Sequence, residues 1–142
     1  MKIQFTVYGN PKAQKRHRDR KGGHGKYDPS ASDKGDFLAM CIKHKPERPI
    51  VKQGVLLWLN FFMPRPDYHF NSKGEVFERY KDIPHIKIPD CDNLAKFVKD
   101  ALAGVYWHND SLIVKLTVEK QYSPNPRIEV CVVWDDAEGS GK

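Results

Sequence analysis

The run from Gly54 to Met63, GVLLWLNFFM, constrains the fold more than any other stretch of this chain. Its eight apolar side chains follow neither a helical period nor an alternation, and none of its residues is charged. A short continuous apolar run suits a strand buried on both faces. Such a strand needs neighbours on either side and a covering layer, so the rest of the chain has to supply both.

The neighbours are legible. Ile3, Phe5 and Val7 alternate with Lys2, Gln4 and Thr6 in the pattern of a half-buried strand, and Gly9-Asn10-Pro11 ends it. After Asp110, Val114, Leu116 and Val118 alternate, SPNP turns the chain, and Ile128, Val130 and Val132 alternate again, which reads as a hairpin. The covering layer comes from two helical patterns. Phe37, Met40, Cys41 and His44 recur at helical spacing between Ser32 and His44, ahead of Pro46 and Pro49. In NLAKFVKDALAG, Leu94, Phe97, Val98, Ala101 and Leu102 form one stripe, and Gly104 suits the stop. Between them, Met63 to Ile88 is rich in Pro, Gly, Asn and charge without a sustained period, the mark of a functional or mobile loop.

A chain of 142 residues that is 39% hydrophobic supports one packed core and is too short for two ordinary domains. The expected fold is therefore a single α+β domain over residues 1–134, in the order β-α-β-α-β-β, with two helices on one face of a mixed sheet. The tail DDAEGSGK, residues 135–142, has nothing to bury and is expected to be disordered.

Charge is distributed unevenly. The formal net charge is +6, and between Asn10 and Asp28 seven lysines and arginines face only Asp19 and Asp28. A solvated, solubilising surface explains a modest excess; a concentration of this kind in a Gly-containing, apolar-poor loop points to an anionic partner, of which nucleic acid is the commonest large one. Lys12, Lys15, Arg16, Arg18, Arg20 and Lys21 are the candidate nucleic-acid contacts, expected to take order from phosphate. Cys41, Cys91 and Cys131 are well separated and contain no CxxC pair, which fits a reduced compartment. Cys41 and His44 have a ligand-like spacing, but an isolated pair on a helix is usually ordinary packing. No run approaches the length of a membrane span, and a cytoplasmic protein is expected.

The chemistry concentrates in PDCDNLAK, Pro89 to Lys96. One aspartate of Asp90 and Asp92 falls where a helix N-cap belongs. The second is not explained by capping, because close carboxylates repel unless a cation or shared proton intervenes, and Mg²⁺ is the usual oxygen-seeking cation. Asp92, Lys96 and Asp100 follow at i+4 steps, so a salt-bridge ladder accounts for Asp100 with Lys96. Lys96 itself, one turn from Asp92, is placed to meet a phosphate. His85 and His108 flank the motif, but Mg²⁺ prefers oxygen, and neither is expected to be a ligand.

The segment PDCDNLAKFVKDALAGVYWHNDSLI, Pro89 to Ile113, resembles the signature of the RusA family of Holliday-junction resolvases, with GNPKAQKR and PRPDYHF as weaker flanking similarities. The resemblance implies a homodimeric, Mg²⁺-dependent endodeoxyribonuclease, often phage or prophage encoded, that resolves four-way DNA junctions by paired nicks, with Mn²⁺ able to substitute. It further implies that Asp90, Asp92 and Asp110 are the metal-site acids and Lys96 the catalytic lysine. Where members usually carry two successive acids, this chain has Asn109-Asp110, one carboxylate fewer, which leaves the number of metal ions open. Three rivals bear on the same residues. A PD-(D/E)xK nuclease lacks its acid-x-Lys partner, since Glu119 and Lys120 are adjacent. A non-catalytic DNA-binding protein and an RNA-directed nuclease stay open.

Overall fold

The computed structural model describes residues 1–15, 18–19 and 25–135. The candidate contacts Arg16, Arg20 and Lys21, the Arg18 side chain, and residues 136–142 of the tail expected to be disordered lie outside the described residues. Strand β1 covers Lys2–Tyr8, the two-residue strands β2 and β3 cover Arg18–Asp19 and Lys26–Tyr27, and helix α1 covers Ala31–Cys41. Strand β4 follows at Val55–Met63, helix α2 at Cys91–Leu102, strand β5 at Ile113–Tyr122 and strand β6 at Arg127–Trp134. The main sheet runs β1-β6-β4-β5, with β4 and β5 parallel and the other pairs antiparallel. This is the single α+β unit with a mixed sheet and two helices that the apolar patterns call for. The small β2–β3 ladder, Arg18 opposite Tyr27, lies in the segment read as loop.

The apolar run takes the interior position its composition demands. Leu57 of β4 is opposite Leu116 on one side and Val132 on the other. Val55, Leu57, Leu59, Phe61 and Met63 are all buried. The other face is less covered than a continuous apolar run suggests: Leu56, Trp58 and Asn60 are half-buried, because both helices pack on one side only. On that side α2 buries the whole stripe of Leu94, Phe97, Val98, Ala101 and Leu102. Each of the larger side chains, Leu94, Phe97, Val98 and Leu102, contributes roughly 1.5–3 kcal/mol on leaving water, before the entropy of ordering it. Helix α1 joins through Phe37, whose ring meets Phe97 edge-on at 5.8 Å. Met40, placed by spacing on its apolar face, is instead exposed.

The expected hairpin of β5 and β6 does not form, since β4 lies between them. Ser123–Pro126 instead passes the end of β4, where the Ser123 N–H donates to the Met63 carbonyl at 2.9 Å. Burial decides the order. Alternate residues of β6, Ile128, Val130, Val132 and Trp134, are buried and need an interior strand, whereas β5 has no fully buried residue and carries charges suited to an edge. Cys41 and His44 are packing residues: Cys41 is fully buried, with its thiol pushed up to about 12 by burial, and His44 stacks on Phe5 at 4.7 Å.

Candidate active site

Helix α2 begins at its own chemistry. Asp90 is the N-cap, its Oδ1 accepting from the Asn93 N–H at 3.0 Å. That leaves Asp92 in the first turn and Lys96 in the next, both exposed. Among the described residues, neither makes an ion pair. The anticipated ladder is not built: the Asp100 carboxylate pairs at 3.3 Å with Lys34 of α1, not with Lys96. The acids near the N-terminus sit favourably against the positive end of the helix dipole, and the lysine remains available to a ligand.

Two supports hold this turn in place, and neither is evident from sequence. The Gln14 N–H donates to the Asn93 carbonyl at 3.1 Å, so the root of the basic segment is fastened to the first turn of α2. That root is organised by Asp28, which accepts from Gln14 Nε2 at 2.9 Å, from the Ser30 N–H at 2.9 Å and from Lys34 at 2.6 Å. Burial works to raise the Asp28 pKa, but the Lys34 ammonium and these hydrogen bonds outweigh it and hold the carboxyl well below its ordinary range. Exposed Lys12 and Lys15 thus stand close to the motif in space as well as in charge. On the other side, Lys120 of β5 donates to the carbonyls of Lys87 at 2.7 Å and Pro89 at 2.9 Å, clamping the chain just before Asp90. In the sequence Lys120 stands out only as the neighbour of Glu119; its task depends on a parallel strand order that local patterning does not encode.

The loop from residue 64 to 88 is pinned rather than featureless. Arg65 donates to the carbonyls of Tyr80 at 2.7 Å and Lys81 at 3.0 Å. His69, fully buried, stacks on Tyr80 with ring centroids 4.3 Å apart and meets Tyr122 edge-on at 4.9 Å. Its Nδ1 lies 3.3 Å from Arg65 Nη1, and arginine only donates, so this nitrogen accepts and the ring is neutral. Burial, then Arg65 and Lys87, lowers its pKa below 6.5. His85 packs near Tyr122 at 4.7 Å, its pKa likewise lowered by burial and then by Lys120, and His108 is exposed.

Asp110 is elsewhere. It opens a 3-10 turn ahead of β5, whose first residue, Ile113, pairs with Val55 at the start of β4. Its Oδ1 accepts from Trp107 Nε1 at 2.8 Å. Trp107 bridges to Ala103 just past the C-terminus of α2, so Asp110 stands by that end while Asp90 caps the other end of the twelve-residue helix, which is about 18 Å long. The strand that carries the chain back toward Asp90 begins after Asp110, so the reversal does not bring that acid along. Among the described residues no three His, Cys, Asp or Glu side chains gather into a group able to hold a metal ion. The donors at Asp90 and Asp92 nevertheless suit Mg²⁺ in kind and number: they are carboxylate oxygens, Asp90 uses only Oδ1 in its cap, and Mg²⁺ is ordinarily held by one or two carboxylates with water and substrate phosphate completing the shell.

No helix among the described residues is long and apolar enough to cross a membrane. The family model described as endodeoxyribonuclease RusA matches residues 8–133. An uncharacterised protein of Bacillus subtilis strain 168, YqaN, is 38% identical over 136 residues, covering 92% of this chain and 94% of its own length. The match runs from the last residue of β1 into β6 and takes in the Asp90–Lys96 turn and Asp110, and the chain belongs to the RusA endodeoxyribonuclease family.

Proposed function

We propose that this protein is a structure-selective endodeoxyribonuclease that hydrolyses phosphodiester bonds at four-way DNA junctions. The observation that carries the reading is the pair Asp92 and Lys96, one helical turn apart and unpaired among the described residues, beside the root of a strongly basic segment. In hydrolysis, a water oxygen forms a bond to phosphorus as the bond to the leaving sugar oxygen breaks, and negative charge accumulates on the phosphoryl oxygens. The Lys96 ammonium is placed to neutralise that charge. Asp90 and Asp92 supply the negative potential that admits a cation to an otherwise basic surface, and the N-cap bond fixes one carboxylate in orientation. Mg²⁺, or Mn²⁺ in its place, would polarise the phosphate and acidify a bound water. Lys12 and Lys15, with Arg16, Arg18, Arg20 and Lys21 in the same segment, contact phosphates without reading bases, which leaves selectivity to the shape of the branch.

The position of Asp110 bears on assembly. A single chain keeps it a helix length from Asp90 and Asp92, so the reading calls for a homodimer in which the two-fold axis sets the Asp90–Lys96 turn of one protomer against the Asp110 end of the other. Such a dimer also matches the two-fold symmetry of a junction that must be nicked twice to resolve.

The deciding experiment is incubation with a synthetic four-way junction and with linear duplex of the same sequence, with and without Mg²⁺. Symmetric nicks in the junction alone, dependent on the metal, support the reading. Tight junction binding without cleavage in any divalent cation would identify a DNA-binding protein instead, and preference for a matched RNA four-way substrate would reassign the polymer.

A further inference from the structure

We propose that Ile86 and Ile88 form an apolar wedge that enters the opened base stack at the branch point, next to the phosphate presented to Asp90 and Asp92. The proposal rests on the junction-nuclease reading above. These isoleucines are the two most exposed large apolar side chains among the described residues, at 81% and 90%. Ile88 stands two positions before Asp90 in sequence, and the backbone between them is not left to wander. Lys120 holds the carbonyls of Lys87 and Pro89, while the Lys87 ammonium lies 5.7 Å from the centre of the Tyr68 ring. Lys87 is thus drawn toward the body of the protein, and the isoleucines on either side of it stand in solvent on a fixed support.

Charge identifies the occupant. Lys87 stands between the two isoleucines in sequence, Lys96 lies in the second turn of α2, Lys15 follows the Gln14 that is bonded to Asn93, and the chain as a whole carries +6. An apolar pair framed by ammonium groups suits a polyanion whose interior is apolar, which describes stacked bases inside a phosphate backbone. Proteins that kink DNA insert aliphatic side chains of this kind between base steps and unstack them. The step costs least where pairing is already interrupted, as at a branch, so a wedge here would favour a junction over a duplex without any base-specific hydrogen bond.

The test uses a four-way junction carrying 2-aminopurine at the branch, bound by full-length Asp92→Asn protein so that the substrate stays intact, compared with the same protein also bearing Ile86→Ser and Ile88→Ser. The expected result is a several-fold rise in fluorescence with the isoleucines present and its loss without them. Junction affinity should fall tenfold or more, with duplex affinity, melting temperature and sedimentation unchanged. An equal fluorescence rise and equal junction preference in the two proteins overturns the wedge alone. Dissociation of the serine variant into monomers also overturns it, by placing the isoleucines between protomers. An Asp92-intact protein that neither binds nor cuts junctions overturns the nuclease reading, and the wedge with it.

Discussion

Asp90 performs two tasks that a single substitution can separate. As the N-cap it satisfies the Asn93 N–H, and as a carboxylate it belongs to the proposed cation site. Asparagine caps as well as aspartate does, whereas alanine forfeits about 0.5–2 kcal/mol. Asp90→Asn is therefore expected to keep the melting temperature and lose cleavage, and Asp90→Ala to lose both; thermal denaturation beside a junction-nicking assay reads the two effects independently. Lys96 has no structural partner among the described residues, so its removal should cost nothing in stability. Lys96→Ala is expected to lower kcat about 100-fold or more, the usual scale for losing a group that stabilises developing charge, with a smaller change in junction affinity. Normal turnover in that variant would make Lys96 a bystander on a solvated face.

Among elements, the loop of residues 64–88 gives a pH dependence whose sign follows from its two buried histidines. His69 and His85 both have pKa values lowered from 6.5, by burial first, with Arg65 and Lys87 repelling a proton from the former and Lys120 from the latter. Unfolded, each ring binds a proton near 6.5; folded, each resists it to lower pH. The unfolded chain then holds more protons below that point, so stability is full above pH 6.5 and declines as the pH falls through it. Melting temperatures across pH 5 to 8 should show that decline, and His85→Gln should make it shallower; an unchanged slope would assign the acid lability to other groups. The same loop marks the limit of what sequence patterning reveals. The stripe of α2, the burial of Phe5 and Val7 and the Asp90 cap are written in local spacing, because each depends on neighbours within a turn or along one strand. The Lys120 clamp, the stacking of His69 on Tyr80 and the fastening of Gln14 to Asn93 join residues from 11 to 79 positions apart, and no local period announces them. The hairpin reading of β5 and β6 failed for a related reason: alternation shows that a strand has a buried face but not which strand lies beside it.

For the whole molecule, the question is whether a complete site lies within one chain or between two. Asp90 and Asp110 at opposite ends of α2 argue for the second, and mixing inactive variants distinguishes the alternatives. If each site takes Asp90 from one protomer and Asp110 from the other, a heterodimer of an Asp90→Asn chain with an Asp110→Asn chain has one site with both substitutions and one with neither. Mixing and re-equilibrating the two inactive proteins should then restore nicking in the heterodimeric fraction, up to one intact site per dimer, and the product should be singly nicked junction rather than resolved duplexes. If each chain holds its own complete site, every site in the mixture carries a substitution and activity stays at background. Asp110→Asn keeps a carbonyl oxygen able to accept from Trp107 Nε1, so the 3-10 turn ahead of β5 is expected to survive. Persistent inactivity after subunit exchange, with the heterodimer verified by differential tagging and sedimentation, would return the site to a single chain and leave Asp110 as the acceptor that orients Trp107.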